Sequence, residues 1–196
     1  MKFFIKYMVS NRCKIAVKDE LQKLGYHFVM AELGEVEIVE DLTSVQFQKV
    51  KEDLCLLGLE IMDDKRSILI EKIKNLVIEL VHYSDCDLKI NFSCYLASTL
   101  NHSYAYLAHL FSEVQGITIE HYIISHKIEK VKELIIYDEL NITEIADLLK
   151  YSSVAHLSNQ FKKETGISPS QFKCSTDRVR VPIEEVGNLG ARVNCL

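Results

Sequence analysis

An α+β chain with its strands confined to the first third follows from three observations. Short runs in residues 1 to 62 alternate apolar and polar positions around two stretches of helical spacing, residues 65 to 83 hold helical spacing with neither Gly nor Pro, and residues 91 to 173 contain one helical pattern twice, at an offset of 50. Composition agrees with this. The 196 residues are 48% hydrophobic and 26% charged with only seven Gly and two Pro, which excludes disordered and collagen-like classes and suits one or two helix-rich domains.

In the N-terminal segment Phe3, Ile5 and Tyr7 alternate as a strand does, and Val17, Leu21 and Leu24 then fall at helical spacing before Gly25 ends the helix. Tyr26 to Leu33 and Glu35 to Val39 are two more extended stretches hinged at Gly34, the second with Val36 and Ile38 alternating against Glu35, Glu37 and Val39. Thr43 caps a second helix carrying Val50, Leu54 and Leu57 and closed by Gly58, after which Leu59 and Ile61 alternate again. The order is βαββαβ, so residues 1 to 62 are expected to form a ferredoxin-like domain.

Residues 65 to 87 are expected as a connecting helix with Leu69, Ile73, Leu76, Leu80 and Tyr83 in one apolar stripe, widened by Ile70, Val77 and Val81. Such a stripe packs on a neighbouring domain or forms a dimer seam. The helical domain follows, over residues 88 to 173. Laying Asn91 to Tyr122 over Asn141 to Phe172 aligns Asn91 with Asn141, Ser103 with Ser153, Ala105 with Ala155, Leu107 with Leu157, Phe111 with Phe161, Gly116 with Gly166 and Ile117 with Ile167. These identities occupy helix starts, buried faces and helix stops. Each copy therefore reads as helix, tight turn, helix.

In the second copy Asn141 caps a short helix with Glu144 three residues on, and Ile145, Ala146, Leu148 and Leu149 are its apolar face. Ser152 or Ser153 starts the next helix, Gly166 ends it, and Ser168-Pro169 opens another. Between the copies Ile119 to Tyr137 reads as one helix with Ile123, Val131, Leu134 and Ile135 inward, roughly 28 Å long at 1.5 Å per residue. Two reading heads about one DNA turn apart fit that length. Residues 174 to 196 show no pattern and are expected as a loosely ordered tail.

In a helix-turn-helix the second helix enters the major groove, so the residues that read bases point away from the core. With Leu157 and Phe161 buried, Ala155, His156, Asn159, Lys162 and Lys163 lie on the opposite side, with Ser158 and Gln160 at its margins. Asn159 suits adenine, His156 a base edge, Ala155 a thymine methyl, and the two lysines phosphate. The first copy offers Ala105, Tyr106, His109, Ser112 and Glu113, a poorer face because a carboxylate stands where the second copy has Lys163. Charge cuts the other way: the whole chain carries −5, and residues 89 to 173 have eight Lys against nine Asp or Glu. Residues 150 to 173 alone are locally +3.

The second copy resembles the AraC family of bacterial transcription regulators, whose DNA-binding unit is a pair of helix-turn-helix motifs joined by a long helix. The run from Ile142 to Phe172 carries that family's Glu-Ile-Ala, aromatic-Ser, His-apolar-Ser, Phe-Lys and Thr-Gly-Ile-Ser-Pro landmarks. The resemblance implies sequence-specific binding of double-stranded DNA and promoter control, with RNA polymerase as a further partner. It places readers near Val154, Ala155, His156, Ser158 and Asn159, with Tyr104, Ala105, Tyr106, Ala108 and His109 as counterparts in the first motif. Two motifs in one chain allow a monomer or a homodimer to engage DNA.

Residues 1 to 62 are similar to heavy-metal-associated domains, which carry Met-x-Cys-x-x-Cys after the first strand. Here Met8-Val9-Ser10-Asn11-Arg12-Cys13 keeps Cys13 and replaces the first Cys by Ser10, leaving one of the two thiolates a soft metal such as Cu(I) requires. No cofactor is expected. The alternative reading is a metal- or thiol-binding protein whose C-terminal helices mediate protein contacts.

Catalysis has no support, since no Gly-rich phosphate loop, HExxH or GxSxG occurs, and His82, His102, His121 and His126 read as ordinary helix residues. Six scattered Cys and the lack of an apolar run near ~20 residues point to reduced thiols in a cytoplasm, with no membrane span.

Overall fold

The computed structural model describes residues 1–62, 64–83, 92–138, 140–176 and 178–187. Two compact units are present. The first holds Met1–Leu76 and the chain from Phe92 to Leu110, and the second takes over at Val77 and again at Phe111.

In the first unit β1 (Lys2–Lys6), β2 (Phe28–Glu32), β3 (Glu35–Ile38) and β4 (Glu60–Met62) form a sheet in the order β2-β3-β1-β4, with every neighbouring pair antiparallel. Phe3 faces Val36, Ile5 faces Ile61 and Ala31 faces Val36 across the ladders, so the alternation puts these side chains on one face. Helices α1 (Asn11–Lys23) and α2 (Ser44–Leu56) contribute Val17, Leu21, Val50 and Leu54 to the same core. Ser10 caps α1, and Thr43 forms a capping box with Gln46 on α2.

Helix α3 (Lys65–Ile78) starts at Asp64, whose carboxylate accepts from the Ser67 amide at 2.8 Å. Lys72 on this helix lies 4.9 Å from the centre of the Phe4 ring and 3.2 Å from Glu35, residues on the sheet face opposite the core. Asn75 approaches Gly34 so closely that a Cβ there would collide with its amide, and Gly34 has φ +77°. The apolar stripe differs from the expected one: Ile70, Ile73, Val77 and Ile78 are buried, Leu69, Leu76 and Leu80 are half-buried, and Tyr83 is exposed. The physical reason is twofold. Polar residues Lys72 and Asn75 also make contacts, and Glu79–Tyr83 is wound as a π-turn, which shifts the phase of everything after Ile78. Residues 84–87 of the expected connecting helix, and Asn91, lie outside the described residues.

Helix α4 (Phe92–Leu100) and α5 (Tyr104–Gln115) are the first copy of the repeat. Helix α6 (Ile119–Tyr137) joins it to the second copy, α7 (Ile142–Leu148) and α8 (Val154–Thr165), and α9 (Pro169–Cys174) follows. The repeat is structural as well as sequential. Leu107 and Leu157, and Phe111 and Phe161, are all fully buried, and the Phe111–Tyr122 and Phe161–Phe172 ring pairs sit at 5.4 and 5.6 Å.

The buried side of α6 differs from expectation. Tyr122, His126, Ile128, Glu129, Val131 and Ile135 are buried, whereas Ile123 and Leu134 are only half-buried. Helical spacing alone cannot show that polar residues face inward when their partners lie far away in the chain. The tail shows the same effect. Arg180 pairs with Glu133 at 2.6 Å, the Val181 amide donates to Glu129 at 3.1 Å, and Val186 is buried, so residues 178–187 lie along α6 although a loose tail was expected.

Candidate nucleic-acid interface

The second copy builds α7, its turn and α8 from short-range chemistry. The Asn141 side chain accepts from the Thr143 and Glu144 amides at 2.9 and 3.0 Å, and Glu144 returns a bond to the Asn141 amide at 2.7 Å. Helix α7 ends in a tight turn with Lys150 at φ +56° and the Tyr151 amide donating back to the Ala146 carbonyl at 2.9 Å. Ser153, of the two serines expected, caps α8 by accepting from the His156 amide at 3.1 Å, and Gly166 ends it at φ +83°.

In the first copy the turn comes one position later. Asn101 takes the left-handed conformation at φ +54°, and the His102 amide bonds to the Ala97 carbonyl at 3.2 Å. Helix α4 thus runs to Leu100, whose aligned residue in the second copy is Lys150, already beyond α7. The offset of 50 returns at Ser103, which caps α5 by accepting from the Tyr106 amide at 3.3 Å.

With Leu157 and Phe161 inward, α8 exposes Val154, Ala155, His156, Asn159, Lys162 and Lys163, while Ser158 and Gln160 are half-buried at the margin. The His156 ring is held on two sides: its Nδ1 meets the Ser152 hydroxyl at 3.0 Å, and Tyr151 packs edge-on against it at 5.3 Å. Engagement of Nδ1 leaves Nε2 as the ring nitrogen not used in that bond. In the first copy α5 exposes Ala105, Tyr106 and His109, with Tyr104 and Ala108 half-buried, and Tyr106 stacks against His102 at 5.2 Å.

The charge balance becomes legible once partners are known. Lys132 pairs with Glu129, Lys130 and Arg180 with Glu133, and Lys173 with Asp138, so most carboxylates of α6 are matched internally. Burial works against the Glu133 carboxylate, but the Lys130 hydrogen bond and the charges of Lys130 and Arg180 hold it below its ordinary range. Among the described residues Lys162 and Lys163 have no carboxylate partner, which leaves two cations beside the exposed Asn159.

Helix α6 also holds the turn. The Lys127 ammonium donates to the Leu149 carbonyl at 2.8 Å and lies 5.2 Å from the centre of the Tyr151 ring. Burial pulls the Lys127 ammonium below the ordinary lysine range and pushes the Tyr151 hydroxyl, with help from Glu164, up to about 12. Sequence reasoning missed Lys127, whose partners lie more than twenty residues away.

Two further sequence expectations concern other places. Ser10 Oγ and Cys13 Sγ are 3.2 Å apart, and Cys13 Sγ donates to the Tyr7 carbonyl at 3.8 Å, so the cysteine of the metal-like motif is occupied with its own helix cap. Among the described residues no group of three or more His, Cys, Asp or Glu could hold a metal ion. His82 and His126, read as ordinary helix residues, meet in the second unit with Nε2 and Nδ1 3.1 Å apart. Burial lowers the His82 pKa to about 4, and the nearby Lys130 charge acts in the same direction. No helix among the described residues is long and apolar enough to cross a membrane.

A family model described as a helix-turn-helix domain matches residues 96–174. Over 104 residues the chain is 24% identical to YtdP of Bacillus subtilis (strain 168), an uncharacterised HTH-type transcriptional regulator. That match covers 53% of this chain and 13% of the relative, so the chain spans only a small part of that protein's length. The C-terminal domain of AraT, a response regulator from Geobacillus stearothermophilus, is 27% identical, with 61% of this chain and 92% of that one covered and a TM-score of 0.48. The C-terminal domain of the two-component response regulator yesN from Fusobacterium nucleatum is 29% identical over 52% of this chain and 98% of that one, with a TM-score of 0.44.

Proposed function

We propose that this chain, carrying a helix-turn-helix domain over residues 96–174, is a sequence-specific DNA-binding transcription regulator of the AraC type that reads the major groove mainly with α8. One observation carries the reading. A helix capped at both ends exposes Ala155, His156, Asn159, Lys162 and Lys163 on a single face, and that face combines base-edge chemistry with two cations that have no carboxylate partner among the described residues. Double-stranded DNA is the partner, and RNA polymerase is the second partner that promoter control requires. The α5 face, with Tyr106 and His109 exposed and Glu113 where α8 has Lys163, adds base contact and little phosphate affinity.

Residues 1–62 are read as a ferredoxin-like module that serves regulation or protein interaction. The antiparallel order β2-β3-β1-β4, produced by two interleaved βαβ connections, supports that reading. Ser10 stands where the second thiolate of the metal motif would be, and the Cys13 sulfur lies against the Ser10 hydroxyl and the Tyr7 carbonyl, so this reading assigns the module no soft metal.

Selection of the full chain against a pool of random duplex DNA at two salt concentrations tests the proposal, with a His156→Ala, Asn159→Ala double variant run in parallel. Enrichment of one motif by the wild type and its loss in the variant is the expected result. Failure of the wild type to enrich any motif at low salt overturns it.

A further inference from the structure

We infer that Lys127 of α6 is a positioning residue for base recognition: it anchors the turn between α7 and α8 and, through Tyr151, sets the orientation of the His156 ring. The inference rests on the proposed reading of DNA by α8 and names a determinant of its specificity outside the reading face.

The contacts form a continuous path. The Leu149 carbonyl is at the C-terminal cap of α7, where helix carbonyls lack intrahelical partners and a cation is favoured by the helix dipole. Lys127 supplies that partner at 2.8 Å. The same ammonium lies over the face of Tyr151, a residue only 8% exposed, at 5.2 Å from the ring centre. Tyr151 then presents its ring at 85° to His156, with 5.3 Å between centroids, and Ser152, next in the chain, bonds His156 Nδ1 at 3.0 Å. Between them Lys150 occupies the left-handed region, so the turn is held in a conformation that a non-glycine residue disfavours. Lys127 itself is directed to a carbonyl and a ring, and is not a phosphate contact.

The test compares Lys127→Met, Lys127→Arg and His156→Ala. The base pair whose preference disappears in His156→Ala is taken as the one that His156 reads. Lys127→Met is expected to reduce discrimination at that base pair roughly tenfold, within the usual range for one base contact. The slope of log affinity against log salt is expected to stay unchanged, and the double variant Lys127→Met, His156→Ala to lose no more discrimination than His156→Ala alone. Lys127→Arg, which retains a donor and a cation, is expected to keep the preference.

In the free protein the His156 ring proton resonances report the same coupling without DNA. They are expected to move in Lys127→Met and to stay in place in Lys127→Arg. Uniform weakening on all sequences, with the salt slope shallower by about 0.9, would make Lys127 a phosphate contact and overturn the inference. Unmoved ring resonances with full discrimination would overturn it as well. If the wild type selects no sequence, the DNA-binding reading itself fails, and with it the specificity role. The ring resonances then decide separately whether Lys127 and His156 are coupled.

Discussion

His82 and His126 illustrate how a residue with no motif around it acquires a defined chemistry through burial. The two rings meet at 3.1 Å, 44 residues apart in the chain, and His126 also packs against Tyr122 at 4.5 Å between ring centres. Burial, with the Lys130 charge, depresses the His82 pKa to about 4, against an ordinary value of 6.5. The native state therefore favours neutral His82 and the unfolded chain takes up the proton first. Its contribution is fully present above about pH 6.5 and is lost as pH falls through about 4, a loss of roughly 3 kcal/mol. Chemical denaturation at neutral pH and near pH 4.5 is expected to show this drop, and His82→Gln is expected to make it smaller. An identical acid sensitivity in the variant would assign the effect to other groups. Nothing in the spacing around His82 or His126 announced the pair, because neither residue belongs to a local pattern.

At the scale of elements, boundaries were legible wherever a cap decides them. Asn141 with Glu144, Ser153, Gly166, and Ser168 with Pro169 stand where the helices begin and end, since each cap is satisfied by backbone within four residues. Asn141→Ala removes two amide partners at the start of α7 and is expected to destabilise the chain by about 1 kcal/mol, read as a lower denaturation midpoint with an unchanged slope. No change in midpoint would mean that α7 is held by packing of Ile145 and Ala146 alone. The connecting helix was less legible. Its stripe was displaced because Lys72 contacts Phe4 and Glu35, and because a π-turn over Glu79–Tyr83 interrupts the 3.6-residue period. The turn of the first copy, one residue later than in the second, was equally hidden, since Leu100 and Lys150 both suit a helix.

For the whole molecule the proposed function asks a chain of net charge −5 to hold a polyanion. Glu129, Glu133 and Asp138 are matched by Lys132, Lys130, Arg180 and Lys173, whereas Lys162 and Lys163 on the exposed face of α8 have no carboxylate partner among the described residues. Two phosphate contacts give a salt slope near about −2, and affinity falls roughly tenfold as salt rises from about 50 to about 200 mM. Lys162→Ala and Lys163→Ala are each expected to flatten the slope by about 0.9. A wild-type slope of about −6 or steeper would show that other residues carry the phosphate contacts.

Periodicity, caps and the internal repeat are properties of residues near one another in the chain. The order of strands and helices, the repeat and the exposed face of α8 were therefore determined by the sequence itself. The reach of Lys127 to Leu149 and Tyr151, the meeting of His82 with His126, and the docking of Arg180 and Val181 on α6 join residues 22 to 52 positions apart. Only the tertiary structure decides those, because a polar side chain in a helix carries no local mark of whether a distant partner or solvent will satisfy it.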